Sequence, residues 1–171
     1  MRESKGVLKS SRDAVVVEDK RGLVCINAGI DKSNVEGEES FALLPENPDE
    51  SAEKCRLRIK QLCGREVAVV VSDTYSRPFR RGQVNVAIGV AGIRLFEDYR
   101  GREDLFGHVL RVKNVAVVDE IASAAELLMG QAAEGRPVVL VRGLGQLVSR
   151  EKHVTEELFI SRDEDLFRGA L

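Results

Sequence analysis

Residues 67–92, VAVVVSDTYSRPFRRGQVNVAIGVAG, constrain this chain more than any other stretch. The apolar, mostly β-branched run from Val67 to Val71 gives way to Ser72-Asp73-Thr74 and then to the basic turn Arg77-Pro78-Phe79-Arg80-Arg81-Gly82. β-Branched side chains fit an extended, pleated surface, so the run predicts a buried strand that ends at Ser72–Thr74. A strand delivering a carboxylate and a hydroxyl beside three guanidinium groups suits a metal–phosphate site. Carboxylate and hydroxyl oxygens are hard ligands for Mg²⁺ and Mn²⁺, and arginine forks match phosphate oxygens. On these grounds Arg77, Arg80 and Arg81 are assigned to phosphate groups. Two plainer readings stay open: a solvated basic loop, or an arginine paired structurally with Asp98 or Asp104.

Other segments build the frame. Ala14–Val17 and Leu23–Ile26 are apolar runs flanking a polar stretch that ends in Gly22, which predicts a β-hairpin. Asn27–Asn34 follows as a turn, in which Asp31 is a second carboxylate after an apolar strand and Asn34 stands close behind; local turn chemistry is the alternative. Phe41–Pro45 reads as extended. A helix is expected from Pro48 to about Leu62, capped by Asp49 or Ser51, ended by Gly64, and serving as a solvated outer face. Val84–Ile93 reads as a strand in which Gly89 and Gly92 mark a bulge or a close backbone approach. Asp98–Gly101 and Asp104–Gly107 read as turns, and Val109–Val117 as a strand.

The clearest helix spans Asp119–Ala133, with Ile121, Ala125, Leu128 and Ala132 on one stripe and Gly130 interrupting it. Gly135 ends it, Pro137–Val141 reads as a last buried strand, and residues 145–171 as a charged peripheral tail. This order, without regular βαβ alternation, predicts one α+β domain over residues 1–171, a mixed β-sheet with one strong late helix. Neither a GxGxxG nor a GxxxxGK[ST] loop is present, so a Rossmann or P-loop nucleotide site is not supported.

Composition narrows the function classes. Hydrophobic residues at 43% and charged residues at 32% describe a soluble globular chain. A net charge of −2 argues against a broad nucleic-acid face. No apolar run approaches the roughly 20 residues of a membrane helix. MRESKGVLKSS has no apolar signal core, so a cytoplasmic protein is expected. The three cysteines show no metal-knuckle spacing, and His108 and His153 are far apart in sequence, so neither zinc nor a His-centred triad is expected.

Five segments, NAGIDKSN (Asn27–Asn34), LLPENPDESA (Leu43–Ala52), SDTYSRPFRRGQVNVAIGVAG (Ser72–Gly92), DYRGREDLFG (Asp98–Gly107) and AVVDEIASAAELLMGQAAEGRPVVLVRGL (Ala116–Leu144), together resemble one family. It is that of the GTP-dependent γ-glutamyl ligases that extend the deazaflavin coenzyme F420. The likeness runs from about Arg2 to Leu144, and the closing Asp165–Arg168 resembles the family's C-terminal end. It implies a ligase that joins L-glutamate to the phospholactyl carboxylate of F420-0 through an acyl phosphate made from GTP. It also implies two Mg²⁺ or Mn²⁺ ions, with K⁺ as a further cofactor, and an interleaved homodimer. One metal is expected between Asp31 and Asp73 and the second at Thr74 and Gln131. GTP contacts are expected at Asn34 and along Met129-Gly130-Gln131-Ala132 to Arg136.

Lys113 stands where the family commonly has Thr, and His108-Val109 replaces an X-Pro. Family members also carry an N-terminal segment, with a nucleotide-contacting lysine, before the part corresponding to Arg2. Its absence here leads to the expectation of metal binding with feeble GTP affinity and little turnover. The alternatives are a catalytically impaired homologue that binds metal or deazaflavin as a homodimer, and a half-enzyme completed by a separate polypeptide.

Overall fold

The computed structural model describes residues 4–12, 14–161 and 163–166; Arg2, Phe167 and Arg168 lie outside the described residues. In chain order the elements are β1 (Ser4–Ser10), β2 (Val15–Asp19), β3 (Val24–Ile26), α1 (Pro48–Cys63), β4 (Val69–Ser76), β5 (Gln83–Ala91), β6 (Phe96–Asp98), β7 (Asn114–Ala116) and α2 (Val117–Met129). The strands form small antiparallel sheets in the orders β1-β2-β3, β4-β5 and β6-β7, and with the two helices they give the expected α+β class.

The predicted hairpin is β2–β3, in register Val16↔Ile26 and Val17↔Cys25. Its turn is organised by Asp19, whose Oδ1 accepts the backbone N–H groups of Arg21, Gly22 and Leu23, each at 2.9 Å. Helix α1 ends at Gly64 as expected, in the left-handed conformation at φ 65°. Its cap is neither Asp49 nor Ser51 but Asn47, whose side chain accepts the Glu50 N–H at 3.0 Å. Asp49 is occupied elsewhere: it takes the Val90 N–H at 2.7 Å and the Thr155 hydroxyl at 2.6 Å. Nor is α1 only a solvated outer face, because Pro48 and Ala52 are buried and the helix packs on β5.

Strand β4 does not stop at Ser72. It continues through Asp73 and Thr74 to Ser76 and is half-buried along its length, because pairing with β5 carries past the polar residues as far as Ser76↔Gln83. A register shift lies between Val71 and Ser72, which pair with Gly89 and Ala87. Both readings of Gly89 therefore hold: it flanks a bulge, and a Cβ there would stand 2.4 Å from the backbone carbonyl of Pro48.

Among the described residues, no second strand pairs with β5. Instead Asp119, Ser123 and Glu126 of α2, spaced so as to share a helix face, serve its open edge. Asn85 N–H donates to Glu126 Oε2 at 2.8 Å, Ala87 N–H donates to Asp119 Oδ1 at 2.9 Å, and the Ser123 hydroxyl donates to the Asn85 carbonyl at 2.8 Å. The apolar side of the same helix buries Val117, Val118 and Ala122 in a core with Ala87, Val90, Ile93, Leu95 and Leu147.

Helix α2 begins earlier and ends earlier than expected. Gly130 stops it rather than interrupting it, at φ 74° and ψ 179°, so Leu128 is exposed and Ala132 lies beyond the end. Extended structure in 109–117 is confined to β7, apart from a single bridge from Val109 to Glu103. Pro137–Val141 forms no ladder and is not buried, with Val138 82% exposed. The part beyond residue 145 is not wholly peripheral. Leu147 enters the core, Val148 bridges Ile93, and Thr155 is buried against Asp49 and the Ile88 carbonyl. Among the described residues, no helix is long and apolar enough to cross a membrane.

Candidate functional site

Successive side chains on a strand point to opposite faces, so Asp73 and Thr74 reach different neighbours. Asp73 is half-buried, and the nearby charges it feels are Asp31 and Arg21. Burial is the chief cause that raises its pKa, and the like charge of Asp31 adds to it; the Thr74 N–H and the Arg21 cation oppose. Asp31 is exposed, held in a turn by its backbone bridge to Ala42. Its carboxylate accepts the Ser33 N–H at 2.9 Å and the Ser33 hydroxyl at 2.6 Å, and the hydroxyl foremost lowers its pKa. Cys25 lies near the same cluster, its thiol pushed up to about 11 chiefly by burial and then by Asp19.

Thr74 meets the other expected pair. Its hydroxyl lies 3.2 Å from Gln131 Oε1, across 57 residues of chain, and 3.1 Å from Asn85 Oδ1. Gln131 Nε2 donates to Glu126 Oε1 at 2.6 Å and to Asn85 Oδ1 at 3.2 Å. Gly130 makes this return possible, because its backbone lies where L side chains are strained.

The residues beyond Gly130 are partnered locally. Ala132 N–H donates to Glu134 Oε2 at 2.8 Å, and Arg136 Nη1 caps the Leu128 carbonyl at 3.2 Å. Met129 closes α2, and Asn34 sits exposed at φ 54° in the loop after Asp31. Of the basic turn, Arg77 donates to the Arg81 carbonyl at 3.2 Å, while its buried Nε has no partner among the described residues; Arg80 and Arg81 are exposed. Among the described residues, none of these arginines pairs with Asp98 or Asp104. Asp98 is taken by Arg100 at 2.6 Å, and Asp104 by the His108 ring at 3.3 Å.

The donors fit hard divalent cations. Asp73 feels the like charge of Asp31, which a cation would relieve, and Thr74 and Gln131 supply neutral oxygens. Among the described residues, no three or more His, Cys, Asp or Glu side chains gather as a metal cage. Two carboxylates without a cage match the way Mg²⁺ is held when water and phosphates complete its shell.

Sequence reasoning missed Asn85, Glu126 and Arg21. Asn85 had a signal, a lone amide among apolar neighbours in VNVAI, and it is buried. Glu126 had one as well: a carboxylate in the last turn of a helix sits where the dipole disfavours it.

Residues 1–143 match the family described as F420-0:Gamma-glutamyl ligase. The chain is 44% identical over 167 residues to the coenzyme F420:L-glutamate ligase of Methanocaldococcus jannaschii, covering 98% of this chain and 66% of that protein. To the protein of the same name from Methanothermobacter thermautotrophicus it is 46% identical, again covering 98% and 66%. To that of Archaeoglobus fulgidus it is 49% identical, covering 92% and 61%. The chain thus spans a little under two thirds of the length of these curated relatives. Similarity of this extent, over nearly all of its own length, makes the chain a member of the F420-0:gamma-glutamyl ligase family.

Proposed function

We propose that this chain carries the cation- and nucleotide-binding part of a ligase that adds L-glutamate to coenzyme F420-0 at the expense of GTP. The observation that carries this reading is the contact of the Thr74 hydroxyl on β4 with Gln131, 57 residues further along the chain, beside Asp73, which feels the charge of Asp31. In the proposed reaction, a carboxylate oxygen of the coenzyme takes the γ-phosphoryl group and GDP leaves. The glutamate amine nitrogen then attacks the acyl carbon and phosphate departs.

Asp31 and Asp73 would hold one Mg²⁺ or Mn²⁺, and Thr74 and Gln131 the other. Such ions, when bound, neutralise charge on the transferring phosphoryl group. Arg77, Arg80 and Arg81 would supply guanidinium donors to phosphate oxygens at the mouth of the β4–β5 hairpin. The segment 129–132, turned by Gly130, and Asn34 would approach the nucleotide. The acyl phosphate needs protection from water, and a second copy of the chain would cover the exposed apolar side chains of Leu127, Val138 and Leu140.

Mn²⁺ titration followed by calorimetry tests the reading, beside a glutamylation assay with F420-0, GTP, Mn²⁺ and glutamate. Asp73→Asn should abolish most of the Mn²⁺ heat, and an unchanged isotherm refutes the assignment. Mn²⁺ heat without glutamate incorporation would favour instead a metal-binding homodimer without catalysis.

A further inference from the structure

Glu126 makes two bonds that no helix requires. One carboxylate oxygen accepts the Asn85 backbone N–H at 2.8 Å, and the other accepts Gln131 Nε2 at 2.6 Å. A single side chain thereby ties β5 to the segment that follows α2. The same Gln131 nitrogen lies 3.2 Å from Asn85 Oδ1, so its NH₂ group is turned towards two oxygens. The atom left facing Thr74 is the Gln131 carbonyl oxygen, 3.2 Å from the Thr74 hydroxyl.

The orientation matters because the two ends of a carboxamide are alike in shape and opposite in chemistry. Only the oxygen end offers lone pairs to a cation. A hydrogen bond from NH₂ to an ionised carboxylate is roughly twice as strong as one to a neutral acceptor, so Glu126 decides which way the amide faces. Asn85 Oδ1 completes the arrangement at 3.1 Å from Thr74 Oγ1. It can take the single hydroxyl proton and leave the oxygen lone pairs of Thr74 free.

We propose that Glu126 is a positioning residue that fixes the Gln131 carbonyl oxygen beside the Thr74 hydroxyl and so builds the second cation position. This rests on the assignment of that position to Thr74 and Gln131. Without Glu126 the amide can turn its nitrogen towards Thr74, and the affinity of the position falls. Partners that orient a ligand typically contribute about 10- to 100-fold to metal affinity.

The test uses the full 171-residue chain. Mn²⁺ binding is measured by calorimetry and electron paramagnetic resonance for the native protein, Glu126→Ala, Glu126→Gln and Gln131→Ala. The side-chain amide of Gln131 is followed by NMR without metal. Glu126→Ala should weaken the Mn²⁺ lost in Gln131→Ala by about tenfold or more, leave the other Mn²⁺ in place, and remove the exchange protection of the Gln131 amide. Glu126→Gln keeps the size of the side chain and an acceptor for the Asn85 N–H, so it preserves the fold if the alanine variant does not; its NH₂ end then faces the Gln131 NH₂, favours the turned amide, and should weaken Mn²⁺ as the alanine variant does. Unchanged Mn²⁺ affinity in a folded Glu126 variant, with Gln131→Ala still effective, overturns the Glu126 assignment alone. No Mn²⁺ effect from Gln131→Ala overturns the cation reading and the Glu126 assignment with it. A lower melting temperature with the amide still protected leaves Glu126 a merely structural role and also overturns the proposal.

Discussion

At Gly130 the chain takes φ 74° with ψ 179°, a conformation essentially restricted to glycine, and an added Cβ would stand 2.3 Å from the Glu134 carboxyl carbon. The glutamate tip can move, but the backbone angle cannot be accommodated. Gly130→Ala should therefore cost about 1–3 kcal/mol in chemical denaturation, more than a helix-propensity change explains. A loss of a few tenths would show that the turn relaxes freely. That Asp31, Asp73, Thr74 and Gln131 are oxygen donors is legible in the sequence wherever they stand, and the structure adds the contact of Thr74 with Gln131. The roles of Asn85 and Glu126 were not legible, because they depend on how β5 lies against α2, and no local pattern encodes that register.

Among the elements, α2 ties its stability to pH. Burial raises the Asp119 pKa above its ordinary 3.8, in spite of the N–H it receives from Ala87. A carboxyl raised in the folded state favours folding while protonated, and that contribution is lost as pH climbs through the folded value. Asp119→Asn keeps an acceptor for Ala87 and escapes the cost of ionisation. Its stability relative to the native protein should rise as pH increases from about the unfolded value and then level off, as read from urea midpoints across a pH series. A variant that loses ground over that range would show that the carboxylate charge is favourable there. For α1, Asn47→Ala should cost about 1 kcal/mol through loss of the cap, whereas Ser51→Ala should leave that cap intact, a contrast that thermal melts resolve. Helix α1 was bounded almost correctly because Pro48 and Gly64 punctuate it. Pro137–Val141 was misjudged because strand propensity states only that residues suit a ladder, not that a ladder is present.

On the scale of the molecule, α1 comes against β5 with its backbone where Gly89 faces Pro48. Backbone cannot swing aside as a side chain does, so Gly89→Ala should push the helix off the strand. We expect a loss of about 1–3 kcal/mol together with exposure of Ala52, detectable as faster hydrogen exchange in α1. If the proposed second copy covers the exposed Val138 and Leu140, sedimentation should report twice the 18.9 kDa of one chain. Val138→Glu with Leu140→Glu should then return it to one, and a monomeric native protein would refute the pairing. Closure of the open edge of β5 by Asp119, Ser123 and Glu126 also gives the β4–β5 ribbon a direction of growth. A visiting strand finds the backbone groups of Asn85 and Ala87 already satisfied by helix side chains, so that flank rejects extended peptides. Any lengthening of this sheet by another chain must proceed from the β4 flank, which bears Asp73 and Thr74.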